Sequence, residues 1–121
     1  MKLQGEGKLL RIFIGESDRE GHHALHTALV RRAKEAGLAG ATVLRGVEGY
    51  GANSRFIHTA KILRLSEDLP IVLEFVDTEE KIAAFLPVVD ELIERAGCGA
   101  MVTLEKVNVI RYGSGRGASP A

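Results

Sequence analysis

The chain has 121 residues, enough for one compact domain with a single core and no need of disulfides or metals. Sixteen basic and sixteen acidic side chains give a formal net charge of zero, which argues against a nucleic-acid or polyanion binder and permits self-association. One cysteine, Cys98, leaves no internal disulfide and suits a reducing cytoplasm; Lys2, Glu6 and Lys8 break any signal-peptide run, and the apolar runs are too short to span a bilayer.

In chain order, residues 1–8 read as a loose, glycine-containing lead-in. Residues 9–15 read as a strand, with Leu10, Ile12 and Ile14 on one face and Arg11 on the other. Ser17 to Glu20 has capping-box spacing. Leu25, Ala28, Leu29, Arg32, Ala33 and Ala36 then recur at helical spacing up to Gly37, a C-cap glycine. Residues 41–47 form a second strand, residues 60–65 a third, and the nearly continuous apolar run 69–76 a buried strand. Asp77 with Glu80 gives a second capping pair, before a helix whose stripe is Ile82, Phe85, Leu86, Val89, Leu92 and Ile93. Pro87 should kink that helix, which ends at Gly97, Cys98 and Gly99. Residues 101–112 are the last strand; the alternation slips between Leu104 and Val107, as at a bulge. Residues 114–121 read as a flexible Gly/Ser/Pro tail.

Apart from one extra strand between the helices, the order is β-α-β-β-α-β over residues 1–113, read as an α+β ferredoxin-like sandwich with a four-stranded antiparallel sheet and two helices on one face. Its second sheet face needs a cover, and another copy of the chain would supply one.

Between the second and third strands the chain is glycine-rich and then basic: Gly46, Glu48, Gly49, Tyr50, Gly51, followed by Arg55, His58 and Lys61. Glycine loosens a strand where the backbone bends or must approach another molecule. With Gly97, Gly99 and Arg111, these residues make a candidate site for a small anionic ligand, since successive backbone amides in such turns bind anions. An equally simple account is that the glycines only shape turns. Neither the P-loop nor the dinucleotide fingerprint is present. His22 and His26 would share one side of a helix, as zinc ligands do, but lack a third ligand at an obvious spacing. Cys98 sits at the negative end of its helix, wrong for thiolate activation, and no Ser/His/Asp grouping can be assembled. The reading is a binding module with no catalytic residues, no metal and no cofactor.

Residues 37–43 with Gly49, Tyr50 and Gly51, the turn Gly97-Cys98-Gly99 and the strand around Arg111 resemble PII signalling proteins. More closely, residues 38–51, 55–61 and 65–70 resemble the DUF190 family, grouped with PII-like proteins, over residues 9–113. The resemblance implies a homotrimer binding an adenine nucleotide at intersubunit clefts and relaying the result through a loop equivalent to residues 51–60. It implies a second ligand loop at residues 97–100, and gives Arg111 a phosphate contact. It also suggests a membrane transporter of the fluoride-exporting type as partner. Two departures stand out: residues 51–60 hold no tyrosine to modify, and residues 97–100 hold no lysine. Two rival expectations are a metal-binding trimer resembling the CutA proteins, and a small-molecule enzyme on the same fold.

Overall fold

Alternation decides which side of each central strand is dry. In β1, Gly5–Gly15, Leu10, Ile12 and Ile14 are buried while Leu9, Arg11 and Phe13 on the opposite face are half-buried. In β5, Pro70–Asp77, Ile71, Leu73 and Phe75 are buried and Val72, Glu74 and Val76 are half-buried. The computed structural model describes residues 4–51 and 68–115. Within them lie two short strands, β2 at Arg19–Glu20 and β3 at His23–Ala24, then α1 at Leu25–Glu35 and β4 at Thr42–Arg45. After β5 come α2 at Glu79–Ala96 and β6 at Met101–Val109.

The sheet order is β4-β5-β1-β6, every neighbouring pair antiparallel. This is the interleaved order of a ferredoxin-like fold, with β2 and β3 forming a separate two-stranded hairpin. Both helices cover one face. Leu25, Ala28, Leu29 and Ala33 of α1 and Ile82, Phe85, Val89 and Leu92 of α2 join the buried strand residues in one cluster. At its centre Phe75 meets Phe85 edge to face, with ring centroids 5.6 Å apart.

Several local expectations are corrected. Gly5 to Lys8 are strand, not lead-in, because β1 pairs with β6 from Gly5↔Val109 to Phe13↔Met101. The capping box at Ser17 to Glu20 does not form. Asp18 instead turns its carboxylate back to accept the Gly15 amide at 2.8 Å, the hairpin intervenes, and α1 starts after Ala24 with no side-chain cap. The N-cap of α2 is Thr78, whose hydroxyl accepts the Lys81 amide at 3.3 Å. Asp77 points inward instead, fully buried. The helix runs on through Pro87. The β1–β6 register is uninterrupted past Leu104 and Val107, so β6 carries no bulge, and it ends at Val109. The expected strand at residues 60–65 lies outside the described residues, as does the tail from residue 116.

The open face of the sheet is apolar around a charged centre. Leu9, Phe13, Val72 and Val76 are half-buried, and Leu44 and Met101 are 49% and 55% exposed. Between them Arg11 Nε donates to Glu74 at 2.9 Å and Arg11 Nη1 to Glu105 at 2.5 Å.

Candidate functional site

One end of the sheet opens into a cleft of about 520 Å³, where β1 ends and β5 and β6 begin. The end of β1 supplies Phe13, Ile14 and Gly15, and the following turn supplies Asp18. Gly49, Tyr50 and Gly51 form a second wall, and Asp68 with Pro70 a third. Gly99, Ala100 and Met101, leading into β6, close it.

Close approach shapes this cleft. A side chain on Gly15 would begin 2.7 Å from Asp68 Oδ1, so the absent Cβ lets the Asp68 carboxylate lie against the end of β1. There Asp68 Oδ1 accepts the Ser17 amide at 2.7 Å. Gly49 has φ of +154° and packs on Pro70, with 3.3 Å between Pro70 Cγ and the place a Cβ would occupy. Gly15→Ala is therefore expected to push Asp68 aside and deform the cleft while the buried core stays intact. Paired thermal melts and ligand titrations of this variant check it, and unchanged binding would count against the close-packed geometry.

Cys98 sits beside this wall. Burial pushes its thiol up to about 11, and the neighbouring Asp18 carboxylate, by charge and hydrogen bonding, pushes the same way. The thiol stays protonated at neutral pH, in line with a small turn residue and not a nucleophile. Alkylation of the folded protein should be slow at pH 8 and accelerate only as pH approaches about 11. The unfolded chain, with its ordinary thiol, should react faster at pH 8. Equal rates in the two states would contradict this environment.

The residues singled out from sequence divide into four groups. Gly49, Tyr50, Gly51 and Gly99 line the cleft. Gly46 lies just behind it, its amide donating to the Pro70 carbonyl at 2.7 Å, while Glu48 is exposed and Gly97 serves as the left-handed C-cap of α2. Arg55 and His58 lie outside the described residues. Arg111 follows the far end of β6, which at a rise of about 3.3 Å per residue spans roughly 26 Å from Met101 to Val109, so the strand's length separates it from Gly99 of the same chain. Sequence reasoning missed Phe13, Ile14, Gly15, Asp18, Asp68, Pro70 and Met101, while Ala100 falls in the expected ligand loop at residues 97–100. Topology carried the missing signal, since in this fold the end of the first strand abuts the start of the third and the last.

The histidine pair does not form a helical ligand set. His22 lies in the turn between β2 and β3, where its carbonyl accepts from Arg19, and His26 lies in α1. Among the described residues no three His, Cys, Asp or Glu side chains gather as metal ligands, and no helix is long and apolar enough to cross a membrane.

The model of the DUF190 family, described as Uncharacterized ACR, COG1993, matches residues 7–109. The chain belongs to this family. The chain is also similar to a UPF0166 protein of Aquifex aeolicus, 42% identical over 103 residues, 85% of this chain and 92% of the relative. The fold of this DUF190 protein is PII-like. TTHA0516 of Thermus thermophilus, named as a PII-like signaling protein, is similar with a TM-score of 0.62 and 23% identity, over 91% of this chain and 94% of that one. CPII of Thiomonas intermedia, a nitrogen regulatory PII-like protein whose structure holds ADP, AMP and bicarbonate, also gives a TM-score of 0.62. Its identity is 22%, over 88% of this chain and 90% of that one.

Proposed function

We propose that this DUF190 protein is a PII-like regulator that binds an adenine nucleotide in the sheet-end cleft and passes the result to a partner protein. The observation that carries the reading is the convergence of residues 49–51 and 99–101 on one cleft of about 520 Å³, a size suited to a small-molecule ligand. Its walls pair apolar surface for a base, from Phe13, Tyr50 and Met101, with glycine backbone that a ligand can approach closely. The adenine nucleotides bound by CPII, on a similar fold, support the same ligand class.

The site is completed by assembly. The open sheet face, apolar around Arg11, Glu74 and Glu105, is the surface by which copies associate as a homotrimer. In such an assembly Arg111 of the partner subunit brings positive charge to a cleft that Arg111 of the same chain does not reach. Arg55 and His58, in the segment after Gly51, contact the ligand or the partner. A membrane transporter is the partner this reading favours, approached from the cytoplasm. The protein carries out no catalysis.

Differential scanning fluorimetry against adenine nucleotides, cyclic nucleotides and fluoride tests the ligand. At a ligand concentration about one hundred times Kd the folded state gains about 2.7 kcal/mol, a readily measured rise in Tm. No shift with any nucleotide would sink the ligand half of the reading. Assembly has its own test. Arg11→Ala leaves Glu74 and Glu105 facing each other without their cation, and light scattering should show the trimer giving way to monomer. A wild-type monomer at micromolar concentration would overturn the trimer.

A further inference from the structure

Pro70 ties one wall of the cleft to the core. It is the first residue of β5, the place in a strand where a proline ring is tolerated. It stands opposite Gly15 of β1, and the carbonyl before it, that of Leu69, accepts the Glu16 amide at 2.8 Å. On its other side it meets the segment that leaves β4. The last pair of β4 is Arg45↔Ile71, and the next amide, that of Gly46, donates to the Pro70 carbonyl at 2.7 Å. The ring fills a notch made by two absent side chains. The place of a Gly46 Cβ lies 2.8 Å from Pro70 Cγ, and the place of a Gly49 Cβ lies 3.3 Å from the same atom. A proline ring is closed onto its own backbone and cannot rotate out of such a contact.

We propose that Pro70 is the positioning residue of the cleft: its ring, seated in the notch of Gly46 and Gly49, holds the wall that carries Tyr50 in place against a bound base. This rests on the reading of the cleft as an adenine-nucleotide site. Tyr50 lies between two glycines, the residue type whose backbone has the widest choice of conformations. A contact from the start of β5 narrows that choice before any ligand arrives. Order already present in the free protein need not be created on binding, so affinity rises without a new contact to the ligand. Pro70 Cγ is the atom that decides the fit. Without it, the atoms nearest the place of a Gly46 Cβ are the Pro70 carbonyl oxygen at 3.5 Å and Pro70 Cβ at 3.6 Å, ordinary contact distances. Gly46→Ala alone therefore forces the wall off the ring. Combined with Pro70→Ala, its methyl group takes the space that the ring has left.

Calorimetric titration of the full chain with AMP and ADP, together with the fluorescence anisotropy of Tyr50, tests the proposal. The sequence has no tryptophan and two tyrosines, so a Tyr112→Phe parent leaves Tyr50 as its one tyrosine. In that parent, Pro70→Ala should weaken nucleotide binding by roughly three- to tenfold, the scale of ordering one or two further side chains on binding. It should also lower the Tyr50 anisotropy of the ligand-free protein, while Tm moves by only a few degrees. Gly46→Ala should weaken binding to a similar extent. The double variant should bind better than Gly46→Ala alone, the opposite of two independent defects. Pro70→Ala with the affinity and anisotropy of the parent overturns the proposal and leaves the adenine site standing. A double variant in which the two losses simply add also overturns it. Failure of the parent chain to bind either nucleotide overturns the proposal and the adenine reading together.

Discussion

Phe75→Ala is expected to destabilise the protein by about 3–5 kcal/mol, the usual cost of emptying a buried phenylalanine site. Phe75 is fully buried on β5, and its ring meets Phe85 of α2 edge to face at 5.6 Å. The lost burial, the cavity and the lost aromatic contact all act in one direction. The neighbours cannot easily collapse into the gap, because Phe75 lies opposite Leu10 on β1 and both strands are fixed by continuous pairing. Against a total stability of about 5–15 kcal/mol, a loss of this size should lower Tm by about 10 °C or more. Urea unfolding monitored by circular dichroism checks it; a loss below about 1 kcal/mol would mean that this contact does not organise the core. Phe75→Leu, which keeps most of the apolar volume, should recover a large part of the loss.

That core was legible in the sequence because it depends on periodicity. Leu10, Ile12 and Ile14 alternate as a strand must, and Ile82, Phe85, Val89 and Leu92 recur as a helix face must, so the side that each element buries follows from spacing alone. The ends of elements were read less well because polar side chains there have competing uses. Asp18 resembled part of a helix cap, yet the nearest orphan donor was the Gly15 amide, and the hairpin of β2 and β3 took the place of the first helical turn. The glycines at Gly5 and Gly7 resembled a loose leader, yet β6 offered a complete row of partners. The cleft was half legible. Glycine clusters marked residues 49–51 and 99, but Asp18 and Asp68 resemble any solvated turn carboxylate until the topology brings both to Gly15. Arg111 groups with the glycine turns in the sequence because it is a cation near the end of the last strand, but the length of β6 separates it from the cleft within one chain.

Asp77→Ala is expected to be nearly as damaging as the core substitution, for a polar reason. Asp77 closes β5 as a fully buried carboxylate, with Oδ1 accepting the Thr78 amide at 2.6 Å and Oδ2 the Ala39 amide at 2.8 Å. The first bond orients the entry to α2; the second anchors the loop between α1 and β4, which Lys81 Nζ also grips through the Gly37 carbonyl at 2.8 Å. Tyr112 reaches the same loop, its hydroxyl donating to the Ala39 carbonyl at 2.8 Å. Alanine would leave two amide donors without their acceptor, and hydrogen bonds to charged groups contribute about 1.5–3 kcal/mol each. A net loss of about 3–5 kcal/mol follows if no water enters to replace the carboxylate. Asp77→Asn retains one acceptor oxygen but turns an N–H₂ toward the other amide, so it should fall between alanine and wild type. Tyr112→Phe removes a bond at the exposed edge of the same loop and should cost under about 1.5 kcal/mol. Chemical denaturation of the three variants gives the ordering directly. If Asp77→Ala proved as mild as Tyr112→Phe, the buried carboxylate would not be what ties the loop after α1 to the start of α2.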